Sequence, residues 1–236
     1  MKRMILGAVA LASLMGASVS FAAGQPVIGV AEFRNESGAA WWRGGVGWEL
    51  SGMLSNELSS SGLFKVVERA KLESVLEEQN LAASGRVAKG TGAKIGKLTG
   101  AQYLVTGTVT SYEEGTSSTG GGIAFKGIAL GGKSSKAYLA IDLRVIDTTT
   151  GEIAYSRTVE GTAKSSGVAV GVSRGGFGGS LAKEENTPAG KAIRGALVEA
   201  AEYLECYMVK RDGCQQDYEA KEAKRRAGDK KALKLD

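Results

Sequence analysis

The chain has 236 residues, of which 35 are glycine, 2 are cysteine and none is histidine. The absence of histidine excludes Ser-His and Cys-His catalysis and removes the commonest zinc ligand. A hydrophobic content of 43 % is enough for a core, which excludes a wholly disordered chain. The formal net charge of +5 is too small to indicate a nucleic-acid partner.

Residues 1–22 have the pattern of a secretory signal peptide. Two basic residues form the charged start, an apolar stretch runs from Met4 to Val19, and Ser20 and Ala22 suit a cleavage site. A membrane anchor is the alternative, but the apolar stretch is shorter than the ~20 residues that a spanning helix requires. No cysteine follows this stretch, so we expect an exported protein with no evident lipid anchor.

The rest of the chain alternates between strand and helix patterns. The predicted strands are 27–33, 63–67, 103–109, 138–146 and 152–160, and the predicted helices are 44–60, 69–83, a short one near Ile95 and Leu98, and 187–204. A turn at 149–151 joins the last two strands in a hairpin. This order predicts an α/β (α+β) domain over residues 23–209, followed by a charged C-terminal tail at 210–236.

Two glycine-rich stretches do not fit inside this domain. Residues 113–137 and 161–186 are each about 25 residues long, which exceeds the usual connection in a compact domain. Apolar residues alternate in the second stretch, as is typical of strands in a membrane β-barrel, and less regularly in the first, where the alternation slips at Gly127. These candidate membrane-strand residues are Ile123, Phe125, Val168, Val170 and Val172. We therefore predict membrane β-hairpins at about 110–147 and 153–186, with flexible surface loops as the alternative.

A barrel built from such hairpins requires more than one chain. Even barrels whose interior is filled by side chains need about eight strands, and two hairpins supply only four. The prediction of membrane hairpins therefore includes a ring of several subunits that share one transmembrane β-barrel.

The sequence offers no convincing catalytic or cofactor site. The segment Gly90–Gly96 has neither the Walker spacing nor that of a dinucleotide fingerprint, and it lies between predicted helices. The acidic pairs Glu32/Glu36 and Asp142/Asp147 lack an accompanying nucleophile. We therefore expect no catalytic residue, no cofactor and no metal site.

The two cysteines, Cys206 and Cys214, lie near the end of the last predicted helix. In an oxidising compartment they can close a short disulfide loop. Two unpaired thiols at the end of a helix are the alternative.

Several stretches of the chain, in this order, match a known family. They are Val30–Gly38, Phe64–Arg69, Leu76–Gln79, Leu98–Val109, Ala140–Asp147 and Thr150–Ile153. In these stretches the chain resembles the curli secretion channel family (CsgG/HfaB-like proteins of Gram-negative outer membranes), and the resemblance covers roughly residues 27–204. It implies a periplasmic α/β domain that assembles into a ring and extends two hairpins per subunit into a common outer-membrane barrel.

The resemblance also implies a function and a constriction. Channels of this family let unfolded polypeptide of the curli, amyloid or adhesive type leave the periplasm by diffusion, without catalysis. The implied partners are further copies of the chain, the secreted polypeptide, the outer membrane and accessory periplasmic proteins. In that family the loop between the first strand and first helix lines the aperture, which implies a pore constriction at Trp41, Trp42 and Arg43. Core or interface packing is the alternative role for the two tryptophans.

Two features depart from the family pattern. The loop at 37–48 is shorter than in the curli channels, and no lipidated cysteine stands at the expected mature N-terminus. A soluble periplasmic scaffold or binding protein on the same domain is therefore the alternative to the channel.

Overall fold

A computed structural model describes residues 24–118, 124–125, 128–129, 133–165 and 187–234. The strands in these ranges are β1 (Val27–Val30), β2 (Arg34–Asn35), β3 (Lys65–Val67), β4 (Tyr103–Ser118), β5 (Ala124–Phe125), β6 (Ile128–Ala129), β7 (Lys133–Asp147) and β8 (Ile153–Ser165). The helices are α1 (Val46–Ser60), α2 (Leu72–Ala83), α3 (Pro188–Leu204) and α4 (Cys214–Leu233), with a π-helical segment, Glu205–Lys210, between α3 and α4.

Most of the strands form one mixed sheet. Its order is β3-β1-β4-β7-β8, and the short β2 also pairs with β4. β1 is parallel to β3 and β4, whereas β7 is antiparallel to its two neighbours, β4 and β8. The predicted turn between β7 and β8 is confirmed, and the backbone N–H groups of Thr149 and Thr150 donate to the Asp147 carboxylate at 2.7 and 3.2 Å. The mixed α/β class predicted from the sequence is thus confirmed for the described residues.

The core lies where α1 and α3 pack on each other and on the sheet. Alternate residues of β7 point into it, and the stripes of α1 and α3 complete it. The largest of these buried side chains include Leu50, Leu54, Leu58, Leu139, Ile141, Leu143, Ile193 and Leu197. The alternation in β7 and the helical spacing in α1 and α3 predict these faces correctly, because a period of two and a period of 3.6 each select one side.

The segment from α2 to the start of β4 differs most from the prediction. Val75 and Leu76 lie on the apolar face of α2 but are 37 % and 43 % exposed, and Gln79 is the buried residue of the helix. The predicted short helix near Ile95 and Leu98 is wrong, since turns occupy that segment. We call residues 72–100 the α2 arm.

The local cause of this difference is the glycine content of the segment. Gly90 and Gly96 have φ of 85° and 74°, which interrupts any helix there. The chain instead folds back on α2, so that a Cβ on Gly92 would lie 2.7 Å from the Cβ of Ala82. The α2 arm therefore packs on itself rather than on the sheet.

Three strands are longer than the sequence pattern predicts. β4 continues from the predicted end at 109 to Ser118, β7 begins at Lys133, and β8 continues to Ser165. Phe125 lies in β5, where it pairs with Ile128 of β6. The signal-peptide segment and the candidate membrane-strand residues Ile123, Val168, Val170 and Val172 lie outside the described residues. Of the helices within residues 24–118 and 187–234, none has the length and apolar character needed to cross a bilayer.

Candidate functional site

The loop from β1 to α1 lies where β4 begins to extend beyond the core. β2, in this loop, is parallel to β4, with Arg34 opposite Thr108 and Asn35 opposite Val109. The N–H of Glu36 then donates to the Val109 carbonyl at 2.8 Å. The pairing of β4 with β7 has a bulge immediately after Val109. The loop therefore sits at the base of the strand extension.

Local hydrogen bonds give this loop a defined shape. The Asn35 side-chain oxygen accepts from the N–H and hydroxyl of Ser37 at 3.0 and 2.7 Å, and the Ser37 hydroxyl accepts from the N–H of Ala39 at 3.3 Å. The N–H of Trp42 donates to the Ala39 carbonyl at 3.0 Å. Gly45, with φ 88°, then turns the chain into α1. Such side-chain-to-backbone turns restrict the loop without help from a partner.

The structure brings Trp41 and Trp42 together and adds an aromatic residue that the sequence analysis did not single out. The ring centroid of Trp41 lies 5.7 Å from that of Trp42 and 5.5 Å from that of Tyr112, which it meets nearly edge-on. Both tryptophans are half-buried against the core, and Arg43 is exposed. Tyr112 was missed because it lies three residues past the end of the predicted strand.

The indole nitrogen of Trp41 distinguishes it from its neighbour. Nε1 of Trp41 is buried and has no hydrogen-bond partner among the described residues. Trp48, the third tryptophan, lies in the first turn of α1 and is 37 % exposed. The loop thus presents one tryptophan held against Tyr112, a second beside it, and an exposed arginine.

Asp142 and Asp147, one of the two acidic pairs considered in the sequence, have structural partners, as does Glu68. The Asp142 carboxylate accepts from the Thr158 hydroxyl at 2.7 Å, across β7 and β8. The Glu68 carboxylate accepts from the N–H of Lys71 at 3.1 Å, at the start of α2. Together with the turn at Asp147, these contacts give all three carboxylates a structural role: Asp142 joins two strands, Asp147 forms a turn and Glu68 contacts the start of a helix.

A second cluster of interactions attaches the charged tail to the domain. Cys206 and Cys214 form a disulfide with a Cα–Cα distance of 6.0 Å, which joins the π-helical segment to the first residue of α4. Asp212 lies within 4.8 Å of both sulfur atoms, but the disulfide removes the thiolates that a metal ion would need.

Arg157 of β8 holds the other side of this attachment. Its Nη1 donates to the Tyr218 carbonyl at 2.9 Å, and its guanidinium lies 4.8 Å from the Tyr218 ring centroid and 5.5 Å from that of Tyr203. Burial raises the pKa of both tyrosines to about 12. α4 is therefore a docked helix, although the sequence analysis assigned it no role.

Charges on α4 are mostly paired along its middle. Glu222 contacts Arg225 at 2.8 Å and Arg226 at 2.6 Å, and Arg225 also contacts Asp229 at 2.8 Å. Hydrogen bonds from the two arginines lower the pKa of Glu222 to about 2. Across the adjoining strands, the Tyr138 hydroxyl donates to Glu160 at 3.0 Å, and burial with this carboxylate raises the pKa of Tyr138 to about 12.

Comparison with known proteins identifies the family. The family model described as "Curli production assembly/transport component CsgG" matches residues 10–233. Since this match spans nearly the whole chain, the protein belongs to the CsgG family, whose description is that of a curli assembly and transport component.

Individual relatives match over part of the chain. The curli production assembly/transport components CsgG of Salmonella typhimurium and of Escherichia coli (strain K12) are each 32 % identical to it over 126 residues, which is 52 % of this chain and 46 % of theirs. The chain thus spans about half the length of the curated relatives it matches.

Solved structures match with low identity. The hypothetical protein CT253 from Chlamydia trachomatis is 15 % identical with a TM-score of 0.45, covering 78 % of this chain and 98 % of that one. The PelC dodecamer from Paraburkholderia phytofirmans is 14 % identical with a TM-score of 0.36, covering 75 % of this chain and 85 % of that one.

Proposed function

We propose that the protein is a subunit of an oligomeric outer-membrane channel through which unfolded polypeptide of the curli, amyloid or adhesive type leaves the periplasm. Transport proceeds by diffusion and requires no catalytic step or cofactor. Membership of the CsgG family supports the general role in curli assembly and transport. The channel, its ring and its cargo are the finer part of the proposal.

The length of three strands is the observation on which the channel depends. β4, β7 and β8 have 16, 15 and 13 residues, whereas strands of globular proteins usually have about 3–10. Residues Glu113–Gly115 of β4 are exposed, so this part of the strand lies beyond the core. A strand that continues past its core needs another surface, and a membrane barrel supplies one.

The pairing of these extensions favours hairpins over flexible loops. The β4–β7 register continues from Ser111 opposite Ala140 to Ser118 opposite Lys133. β8 remains paired with β7 as far as Ser165, opposite Ser135. The backbone groups of strands inside a bilayer must be paired within a closed barrel. Strands from several copies of the chain would close it, with hairpins at about 110–147 and 153–186.

Exposed apolar side chains on the α2 arm support assembly with further copies. Leu76 and Leu81 are 43 % and 42 % exposed, and Ile95 and Leu98 in the same arm are 63 % and 49 % exposed. Clustered apolar exposure is a common mark of a protein interface. In the proposed ring this surface would be covered by a neighbouring subunit.

The loop at the base of the extension is the proposed constriction. In a ring, each copy would contribute Trp42 and Arg43, while Trp41 would hold the loop against Tyr112 on β4. Rigid aromatic rings narrow a path and contact mixed side chains without requiring a particular sequence. In this division of roles Trp41 anchors the loop, and the exposed part of Trp42 faces the cargo.

The decisive experiment is membrane fractionation, followed by extraction in mild detergent and particle imaging. We expect rings in the outer-membrane fraction, and single-channel conductance that rises in Trp42→Ala. Trp48→Ala is the matched control, because that tryptophan is exposed on α1 outside the loop, and its conductance should not change. A monomer or small oligomer in the soluble periplasmic fraction would overturn the channel and favour a soluble scaffold on the same domain.

A further inference from the structure

α4 runs alongside β8 toward the end of the domain from which the long strands leave. Tyr218 contacts Arg157, and eleven residues later Asp229 shares a groove with Thr162 of β8. Eleven helical residues rise about 17 Å and five strand residues also rise about 17 Å, so the two elements advance together. The last turn of α4 therefore reaches approximately the level of Lys164.

Lysine residues collect at this end. Lys136 of β7 and Lys164 of β8 are directly opposite each other in the register, and both are exposed. The end of α4 adds Lys230, Lys231 and Lys234, which are also exposed. We call these five residues the lysine collar. None of them forms an ion pair with any residue that the structure describes.

Basic residues earlier in α4 form ion pairs, whereas the lysines of the collar do not pair with any described residue. Lys221 lies 3.6 Å from Glu199, and Arg225 and Arg226 both contact Glu222. Lysines in the last turn of a helix are favoured by its dipole, which accounts for part of the collar. The dipole does not account for Lys136 and Lys164, because like charges directly opposite in a sheet are unfavourable. Glu113 of β4 borders the same groove as these two lysines and offsets part of that repulsion, and an anionic surface over this end would relieve the rest.

We propose that the lysine collar binds anionic lipid headgroups of the membrane leaflet that faces the domain. The inference depends on the proposed function, since that function directs the strands beyond Ser118 and Ser165 into a bilayer. The same direction brings all five ammonium groups toward the headgroup layer. Long lysine side chains can extend to phosphates while their methylene groups remain along the strand or helix. The collar thus aligns and retains the domain at the membrane surface by charge.

The test is flotation of the purified full chain with vesicles of phosphatidylcholine alone or mixed with phosphatidylglycerol. A lysine near an anionic surface strengthens binding about fivefold, so K230Q/K231Q/K234Q should lower partition onto the anionic vesicles roughly 100-fold. The arginine variant K230R/K231R/K234R should retain binding, and added salt should weaken binding of the unchanged protein. A second variant, K136Q/K164Q, tests the strand half of the collar without altering α4.

K65Q/K71Q/R144Q is the matched control, because it removes the same charge from exposed residues of β3, the start of α2 and β7 that lie outside both the collar and the α2 arm. Equal losses in the control and the α4 variant, or equal binding to both vesicle types, would overturn the collar.

An alkaline wash of the vesicles separates this proposal from the channel. Protein that resists the wash but shows no dependence on the collar supports insertion and overturns the collar. Protein that binds through the collar but is released by the wash supports the collar and overturns insertion.

Discussion

At the scale of single residues, the contact between β8 and α3 depends on Gly161. A Cβ at this position would collide with the backbone carbonyl of Ala192 and lie 2.8 Å from the N of Ala196. Because both obstacles are backbone atoms of a buried helix, Gly161→Ala should lower the free energy of unfolding by about 3 kcal/mol in urea titrations. Gly115→Ala is the control, since its Cβ would meet nothing within 4 Å. Similar losses in both variants would contradict this account.

Glu222 gives a second residue-level expectation, which concerns pH. Its pKa is lowered from 4.5 to about 2, first by Arg225 and then by Arg226. A carboxylate with a lowered folded-state pKa adds stability above its unfolded pKa, and that stability is lost as pH falls toward 2. Glu222→Gln should therefore cost about 1 kcal/mol at pH 7 and almost nothing near pH 2.

Helix content followed by circular dichroism during unfolding at a series of pH values measures this difference. Glu219→Gln is the control, because Glu219 is exposed on the same helix and forms no ion pair with the described residues. A cost for Glu222→Gln that is the same at both pH values would exclude the ionic contribution.

At the scale of elements, α4 is attached by the disulfide and by the contact of Arg157 with Tyr218. Closing a loop of about eight residues stabilises a fold by about 2.5 kcal/mol on the chain-entropy account. The double variant C206S/C214S should therefore release α4, and trypsin should cleave its lysines and arginines much faster. Lysines of the α2 arm provide an internal control, since their cleavage should keep its rate. Unchanged cleavage of α4 would mean that Arg157 and the tyrosines suffice.

Helices and strands could be predicted from the sequence where the spacing of their apolar residues follows the face that they bury. Leu139, Ile141 and Leu143 alternate with other residues along β7, and all three are buried in the core. Beyond Val109, β4 consists of polar and small residues apart from Tyr112, so its apolar pattern ends although its backbone pairing continues. Strand length there is set by the partner strand rather than by side-chain burial.

The candidate site was predictable only in part, for a similar reason. The loop that carries Trp41 and Trp42 follows from the order of the elements, but the contact of Trp41 with Tyr112 requires the register of β2 on β4. The docking of α4 depends on Tyr218 and a disulfide rather than on an apolar stripe. Helical spacing in α2 likewise predicted a helix, but it did not indicate that Val75 and Leu76 would be exposed in the single chain.

At the scale of the whole molecule, the topology gives the domain two different ends. The β7–β8 turn, the start of β4 and the disulfide lie at one end. The tryptophan loop, the strand extensions and the lysine collar lie at the other. α3 descends from the extended end, since its Ala192 faces Gly161 and Tyr203 donates to the Ser156 carbonyl at 3.4 Å. α4 then returns toward the extended end. This polarity is what a subunit needs when one end meets a membrane.

The α2 arm then predicts how such subunits would contact one another. Leu76→Gln with Ile95→Gln should leave the unfolding free energy within about 0.5 kcal/mol, because both side chains are already exposed in the single chain. The same double variant should reduce ring assembly, since covering these side chains would stabilise each subunit contact by about 2 kcal/mol. Native mass spectrometry in detergent over a range of protein concentrations measures the assembly. Ile153→Gln, at a residue 54 % exposed outside the arm, is the control. If both variants assemble like the unchanged chain, a surface other than the α2 arm joins the subunits.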